Sequence, residues 1–201
     1  MRTSRLVGVS ALGAAASVCA AQSSWVHVSH DDADGIVAPG EVVRVKAVVS
    51  WIPAGVQFAG MKGDLRAAPN VGIASNRFSE FLQGGLVNLG QFSGGSIVGV
   101  DIAVAPSFFT GGVIVPPSGN NWGIEVISYD WQAPVGFAGA VGFDWVPDPA
   151  APNVRFFPPV GPPSWNWEPT VYVGTSLTVV PAPVSLALVA PALRRGRRRV
   201  P

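Results

Sequence analysis

The sequence predicts an all-β protein, an antiparallel β-sandwich of immunoglobulin-like or jelly-roll-like type. In residues 41–51 every second side chain, from Val43 to Trp51, is apolar, which is the period of a half-buried strand. The chain has 24 glycines and 19 prolines in 201 residues, about a fifth of the total against a usual share of about 12%. These residues interrupt helices and populate turns. Because helical and strand patterns do not alternate along the chain, a doubly wound sheet is excluded.

The segment 41–51 is the clearest strand, because every second residue from Val43 to Trp51 is apolar. Turn residues such as Gly94-Gly95 separate the other apolar runs, as expected for many short strands. One short stretch, 76–82, has a helical pattern. The further predicted strands are 24–29, 56–65, 85–92, 96–104, 122–129, 135–143 and 171–180.

The first 21 residues have the three parts of a secretory signal peptide. Arg2 and Arg5 form a positively charged N-terminal region, residues 6–18 are an apolar stretch, and residues 18–21 are a small-residue cleavage site. Thirteen apolar residues would span about 20 Å as a helix, too short for a bilayer core of about 30 Å. We therefore expect export and cleavage. The only cysteine, Cys19, lies in this segment, so the mature domain has no thiol for catalysis or metal binding.

The tail, residues 179–201, has a proline motif, an apolar stretch and a cluster of arginines. These are Pro181-Ala182-Pro183, residues 184–193, and the run that begins at Arg194-Arg195. This arrangement resembles the PEP-CTERM sorting signal of Gram-negative bacteria. The resemblance implies a pause in the inner membrane with the arginines held on the cytoplasmic side, processing by an exosortase, and an exopolysaccharide or biofilm setting. The alternative is a disordered basic tail.

The remaining segment, 22–178, is the predicted sandwich domain and is acidic. It contains six lysines and arginines against all 12 carboxylates, a net charge of about −6 that disfavours contact with nucleic-acid phosphates. The sequence Asp34-Gly-Ile-Val-Ala-Pro-Gly-Glu-Val-Val43 resembles the first strands of cohesin-like and other bacterial immunoglobulin-like modules. That resemblance implies an exported sandwich.

A calcium site is one interpretation of the acidic run near the start of the domain. Asp32, Asp34 and Glu41 fall at positions three, five and twelve of a calcium loop if Gly35 is its sixth residue. Carboxylate oxygens at that spacing suit Ca²⁺. The alternative is a solvated acidic loop at the end of a strand.

Catalytic patterns are weak. His27 and His30 are the only histidines, and in a strand their spacing places them on opposite faces. No Gly-x-Ser-x-Gly nucleophile turn occurs. Asp130 and Asp144 lie on predicted neighbouring strands, so a glycosidase-type carboxylate pair is the remaining enzymatic hypothesis.

Tryptophan is the unusual residue of the domain, with seven copies between Trp25 and Trp167. Exposed indoles stack on sugar rings and carry a donor N–H. The candidates for a carbohydrate-binding surface are Trp165 and Trp167 first, then Trp131 and Trp145. The alternative is that the indoles fill the core.

The sequence thus predicts an exported, envelope-associated or secreted β-sandwich with a structural, adhesive or extracellular-matrix role and no catalysis. Carbohydrate binding through exposed tryptophans is the second hypothesis, and an envelope glycoside hydrolase is the third. The expected partners are the exosortase machinery, the inner membrane through the tail, and a polysaccharide.

Overall fold

The chain forms β-strands and no helix within the residues that the computed structural model describes, namely 23–52, 57–79, 85–104, 123–157, 166–167 and 169–181. The strands are β1 (Ser23–His30), β2 (Ile36–Val37), β3 (Val42–Ile52), β4 (Gln57–Ala68), β5 (Ile73–Phe78), β6 (Gly85–Ser93), β7 (Ser96–Val104), β8 (Ile124–Gln132), β9 (Gly139–Pro147), β10 (Arg155–Phe157), β11 (Asn166–Trp167), β12 (Thr170–Val173) and β13 (Thr175–Val179).

These strands form two sheets. The smaller sheet has the order β12-β1-β3-β8-β5, and the larger has the order β11-β10-β4-β9-β13-β2. In the larger sheet, β7 pairs with β4 and β6 pairs with β7. The described pairings are antiparallel except for β1 with β12 and β2 with β13. The predicted all-β sandwich is confirmed.

The core lies between the two sheets and follows from the period-two pattern. In β3, Val43, Val45, Ala47 and Val49 are buried, and the residues between them are partly exposed. Facing strands of the other sheet supply buried residues in the same way, for example Met61 and Leu65 in β4. Alternation in each strand thus gives the sandwich one apolar interior and two outer faces.

Trp131 is the largest fully buried side chain in the described part of the chain. Its ring meets the ring of Phe143, from the larger sheet, edge-on at a centroid distance of 5.2 Å. The indole N–H donates a hydrogen bond to the carbonyl of Val71 at 2.9 Å. Gly72 and Gly95 border the indole so closely that a Cβ on either would lie 2.5 or 2.7 Å from its nitrogen. This indole therefore joins the two sheets and the turn that contains Val71.

The strand predictions succeed where the alternation is strong. The strand 96–104 has the predicted bounds, and the predicted strand 41–51 is shifted by one residue to Val42–Ile52. The predicted helix at 76–82 is wrong over 76–78, which belong to β5, because Asn76 (φ 49°) bulges and β5 continues its pairing with β8. Residues 80–82 lie outside the described part.

Two strand boundaries differ for identifiable reasons. β9 begins at Gly139 and not at 135, because residues 135–138 form the turn that follows β8. The single strand predicted over 171–180 is two strands in different sheets, separated at Gly174. A Cβ on Gly174 would lie 2.8 Å from the main-chain carbonyl oxygen of Phe143 and 1.8 Å from a side-chain oxygen of Asp144, so this crossing disfavours any larger residue.

The ends of the chain mostly lie outside the described residues. The predicted signal peptide, 1–21, is not described, and of the sorting motif only Pro181 is. Val179, assigned to the tail from the sequence, is instead a buried residue of β13. None of the described segments contains a helix long and apolar enough to cross a membrane.

We expect Trp131→Ala to destabilise the fold by about 3–5 kcal/mol, the usual range when a buried aromatic side chain is truncated. Urea unfolding followed by circular dichroism measures the change. Val173→Ala is the matched control, because Val173 is 42% exposed and its truncation should change stability by less than about 0.5 kcal/mol. Equal losses in the two variants would contradict the central role of Trp131.

Candidate functional site

The outer face of β9, β4, β7 and β6 carries charged side chains of both signs. In β4, buried Met61 and Leu65 point inward, so Lys62, Asp64 and Arg66 point outward. Asp101 lies opposite Lys62 on β7, and Val146 lies opposite Asp64 on β9. We call the surface formed by these five residues the mixed-charge face.

The ion pairs on this face lie at the surface, and in each the cationic side chain is at least 40% exposed. Lys62 Nζ is 3.0 Å from Asp101 Oδ2, and their side chains are 40% and 38% exposed. Arg66 donates two hydrogen bonds to Asp64 Oδ2, at 2.6 and 3.0 Å. Exposed pairs of this kind contribute only about 0–1 kcal/mol each. Their charges can therefore be re-paired with an incoming partner at little cost to the fold.

A β-bulge shapes the same face. The register between β4 and β7 shifts between Gly63 and Leu65, and Gly99 adopts φ 74° opposite the shift. The amide of Gly99 donates a hydrogen bond to Asp64 Oδ1 at 2.7 Å. Asp64 thus holds both the bulge and Arg66, which explains why its side chain is only 18% exposed.

Two adjoining grooves cross the mixed-charge face. One, of about 500 Å³, is bordered by Lys62, Asp64, Asp101 and Val146. The other, of about 510 Å³, shares Arg66 and Val146 with the first.

The mixed-charge face was not predicted from the sequence. The outward spacing of Lys62, Asp64 and Arg66 in a predicted strand was a usable signal, but the position of Asp101 depends on the pairing of β7 with β4.

The opposite outer face carries a hydrogen-bonded polar network. Arg44 donates to Asp130 Oδ1 at 2.8 Å and to Ser128 Oγ at 2.8 Å, and Asn76 donates to Asp130 Oδ2 at 2.8 Å. Ser128 in turn donates to Glu125. Hydrogen bonds from Arg44 and from Asn76 hold the pKa of Asp130 below its ordinary value. The network links β3, β8 and β5 across the sheet and has a structural role.

The proposed glycosidase pair is not formed. Asp130 lies on β8 of the smaller sheet, and Asp144 lies on β9 of the larger one. Their neighbours Trp131 and Trp145 point into the core, so the two carboxylates point to opposite outer faces. The prediction that these strands are neighbours was wrong, because the chain changes sheets between them.

The carboxylates of the predicted calcium loop each bind local backbone amides. Asp32 Oδ1 accepts from Gly35 and Asp34, Asp34 Oδ1 accepts from Ile36, and Glu41 Oε2 accepts from Ala38. Desolvation raises the pKa of Asp32, but the hydrogen bonds from the amides of Gly35 and Asp34 outweigh this effect, so the pKa lies below its ordinary value. Across the described segments, no three His, Cys, Asp or Glu side chains group as metal ligands would. The geometry supports the acidic-loop alternative, and calcium binding remains a prediction.

The two histidine side chains have different surroundings. His27 is exposed on β1, and the ring of half-buried His30 is 3.1 Å from the carbonyl of Asp32 through Nδ1. Both stand away from the mixed-charge face, since β1 belongs to the smaller sheet.

The tryptophan hypothesis is corrected for two of its four residues. Trp131 is fully buried and Trp145 is 3% exposed, so neither offers an indole face to a sugar. Both point inward because they alternate with Asp130 and Asp144 on strands with one buried face. Trp165 and the side chain of Trp167 lie outside what the structure describes, so their role as ligand-binding residues stays a prediction.

The lowered pKa of Asp130 predicts a pH-dependent contribution to stability. A carboxyl whose pKa is lower in the folded state stabilises it above the unfolded value of about 4, and the effect is lost as pH falls through the folded value. We expect Asp130→Asn to lower the free energy of unfolding at neutral pH by at most about 1 kcal/mol, since the pair with Arg44 is partly exposed. The difference from the unsubstituted protein should shrink as the pH falls below about 4.

Chemical denaturation between pH 2 and 7 measures this difference. Arg44→Gln should show the same convergence, and the Asp130→Asn/Arg44→Gln double variant should lose less than the sum of the single variants. A constant difference over the whole pH range would contradict the assignment.

Comparison with known proteins bears on the fold. No protein-family model matches the chain, and no curated protein matches it in sequence. Among solved structures, the seventh ScaB type I cohesin from Pseudobacteroides cellulosolvens is similar with a TM-score of 0.53 at 13% identity, covering 80% of this chain and 95% of the cohesin. A type II cohesin domain from the cellulosome of Acetivibrio cellulolyticus has a TM-score of 0.46 at 11% identity, with 77% of this chain and 95% of that domain covered. The similarity to the ScaB cohesin supports the two-sheet β-sandwich fold. 

Proposed function

We propose that this protein is an exported, non-catalytic β-sandwich that binds a protein partner through the mixed-charge face, in a structural or adhesive role at the cell envelope or in the extracellular matrix. The observation that carries the proposal is the face itself, where two adjoining grooves share Arg66 and Val146. Exposed charges of both signs border these grooves, and Val146 adds an apolar contact that is 39% exposed.

The chemistry of the face favours a protein over the other classes of partner. Paired charges of both signs select a partner with the complementary pattern, which is how protein interfaces obtain specificity. A nucleic acid would need a basic surface, whereas the segment 22–178 has a net charge of about −6. A polysaccharide would need exposed aromatic faces, and no aromatic side chain of the described residues lines either groove of the mixed-charge face.

The proposed location, outside the cytoplasm and at the cell envelope or in the extracellular matrix, rests on the two ends of the sequence. The segment 1–21 would direct export, and the tail with its apolar stretch and Arg194-Arg195 would hold the chain at the inner membrane until an exosortase processes it. Arginines resist translocation, so the cluster would remain on the cytoplasmic side.

Charge reversal tests the binding face. We expect Lys62→Glu and Arg66→Glu each to weaken partner capture about tenfold or more, because like charges brought together at an interface cost several kcal/mol. The mature chain, immobilised, is incubated with envelope and extracellular extract of the producing bacterium, and the retained proteins are quantified by mass spectrometry.

Lys46→Glu is the matched control, since Lys46 lies on β3 of the smaller sheet and makes the same change of charge. Thermal unfolding verifies that each variant is folded. Equal retention by the Lys62 and Lys46 variants would refute the proposed face, and binding on a glycan array without any retained protein would refute the protein partner.

Replacement of the tail arginines tests the proposed sorting to the cell envelope. Changing the five arginines at 194, 195 and 197–199 to glutamine should abolish retention at the inner membrane and leave the tail uncut, because the positive charges hold the orientation. Fractionation and intact-mass measurement in a bacterium that has an exosortase detect both changes. Lys46→Gln is the control. An unchanged mass and location in the arginine variant would contradict the sorting assignment.

A further inference from the structure

An apolar groove lies at the end of the sandwich where β13 ends. We call it the terminal groove, and its volume is about 350 Å³, within the roughly 300–1,000 Å³ of ligand pockets. It has no charged side chain in its lining, which consists of Pro39, Val135, Gly136, Phe137, Ala138 and Pro181.

Val135 is held in an exposed position by the turn that follows β8. Its side chain is 85% exposed, although the neighbouring Phe137 packs against the core. The amide of Gly40 donates to the carbonyl of Ala133 at 2.9 Å, and the amide of Ala133 donates to the carbonyl of Glu41 at 2.8 Å. These bonds fix the turn beside Pro39, so the apolar groove is a built feature of the fold.

The chain itself provides an apolar segment next to this groove. Pro181, the last described residue, lines it, and the amide of Val180 ties the strand end to the carbonyl of Val37 at 3.0 Å. The sequence then continues through Ala182-Pro183 to Val-Ser-Leu-Ala-Leu at 184–188. At about 3.3 Å per extended residue, Val184 starts within about 10 Å of Pro181, so the segment can reach the groove without a long connection.

Charge favours the same arrangement. Asp31, Asp32, Asp34 and Glu41 lie in the segment 31–41, which contains Pro39, and within the described chain none of them belongs to an ion pair. The arginine cluster begins 13 residues after Pro181. It could lie along this acidic segment while the apolar residues occupy the groove.

We propose that the terminal groove binds residues 184–188 of the same chain. The docked segment keeps its apolar side chains out of water until a membrane or a processing enzyme takes the tail. This inference is independent of the mixed-charge face, because the two surfaces share no lining residue.

Disulfide trapping tests the docking, because the mature chain lacks cysteine. A disulfide forms only when the two Cα atoms come within about 4.4–6.8 Å. The chain of residues 22–201, with its tail uncut and with Val135→Cys and Leu186→Cys, is oxidised mildly, and the cross-linked monomer is quantified by mass spectrometry. The control pair is Val173→Cys with Leu186→Cys, since Val173 is exposed and separated from Pro181 by the whole of β13.

We expect the Val135 pair to cross-link at least about ten times faster than the control pair, a ratio that corresponds to about 1.4 kcal/mol. Adding Phe137→Asp should slow the Val135 pair toward the control rate. Equal rates for the two pairs would overturn the proposal, and so would disulfides between two chains in place of one, which would assign the groove to a second copy.

Discussion

The burial of the Trp131 indole between the two sheets is the constraint on which much of the sandwich depends. Sheets pack about 10 Å apart, and the edge-on contact with Phe143 spans that gap. The indole also fixes the turn between β4 and β5, because its N–H bonds to Val71. Gly72 and Gly95 have no side chain there because a Cβ would collide with the indole. A single ring thus determines the spacing of the sheets and the residue types around it.

The inward direction of Trp131 also determines what the outer faces can do. Since side chains alternate across a strand, Asp130 must point outward, where Arg44 and Asn76 bind it. The same rule applied to β4 turns Lys62, Asp64 and Arg66 outward together. One outer face therefore has its charges tied into a network, whereas the other has exposed ion pairs beside open grooves. This difference is the reason for proposing the second face as the binding surface.

Local patterns predicted the fold well, and contacts between distant segments account for the errors. The bounds of β3 and β7 followed from alternation and from flanking turn residues. The break at Gly174 could not be predicted, because it lies where β12 and β13 join different sheets, beside Phe143 and Asp144 of β9. The mixed-charge face was missed for the same reason, since Asp101 reaches Lys62 only through the pairing of β7 with β4.

The abundance of tryptophan has a structural explanation in the two that are buried, Trp131 and Trp145. Many inward positions of the sandwich are valine, alanine or glycine, for example Val45, Ala47 and Gly63, and such small side chains cannot fill a gap of about 10 Å between sheets. Large rings must therefore lie beside them, and the Trp145 indole does so directly against Gly63. A high tryptophan content in a small glycine-rich sandwich consequently indicates a core that needs large side chains before it indicates a sugar-binding surface.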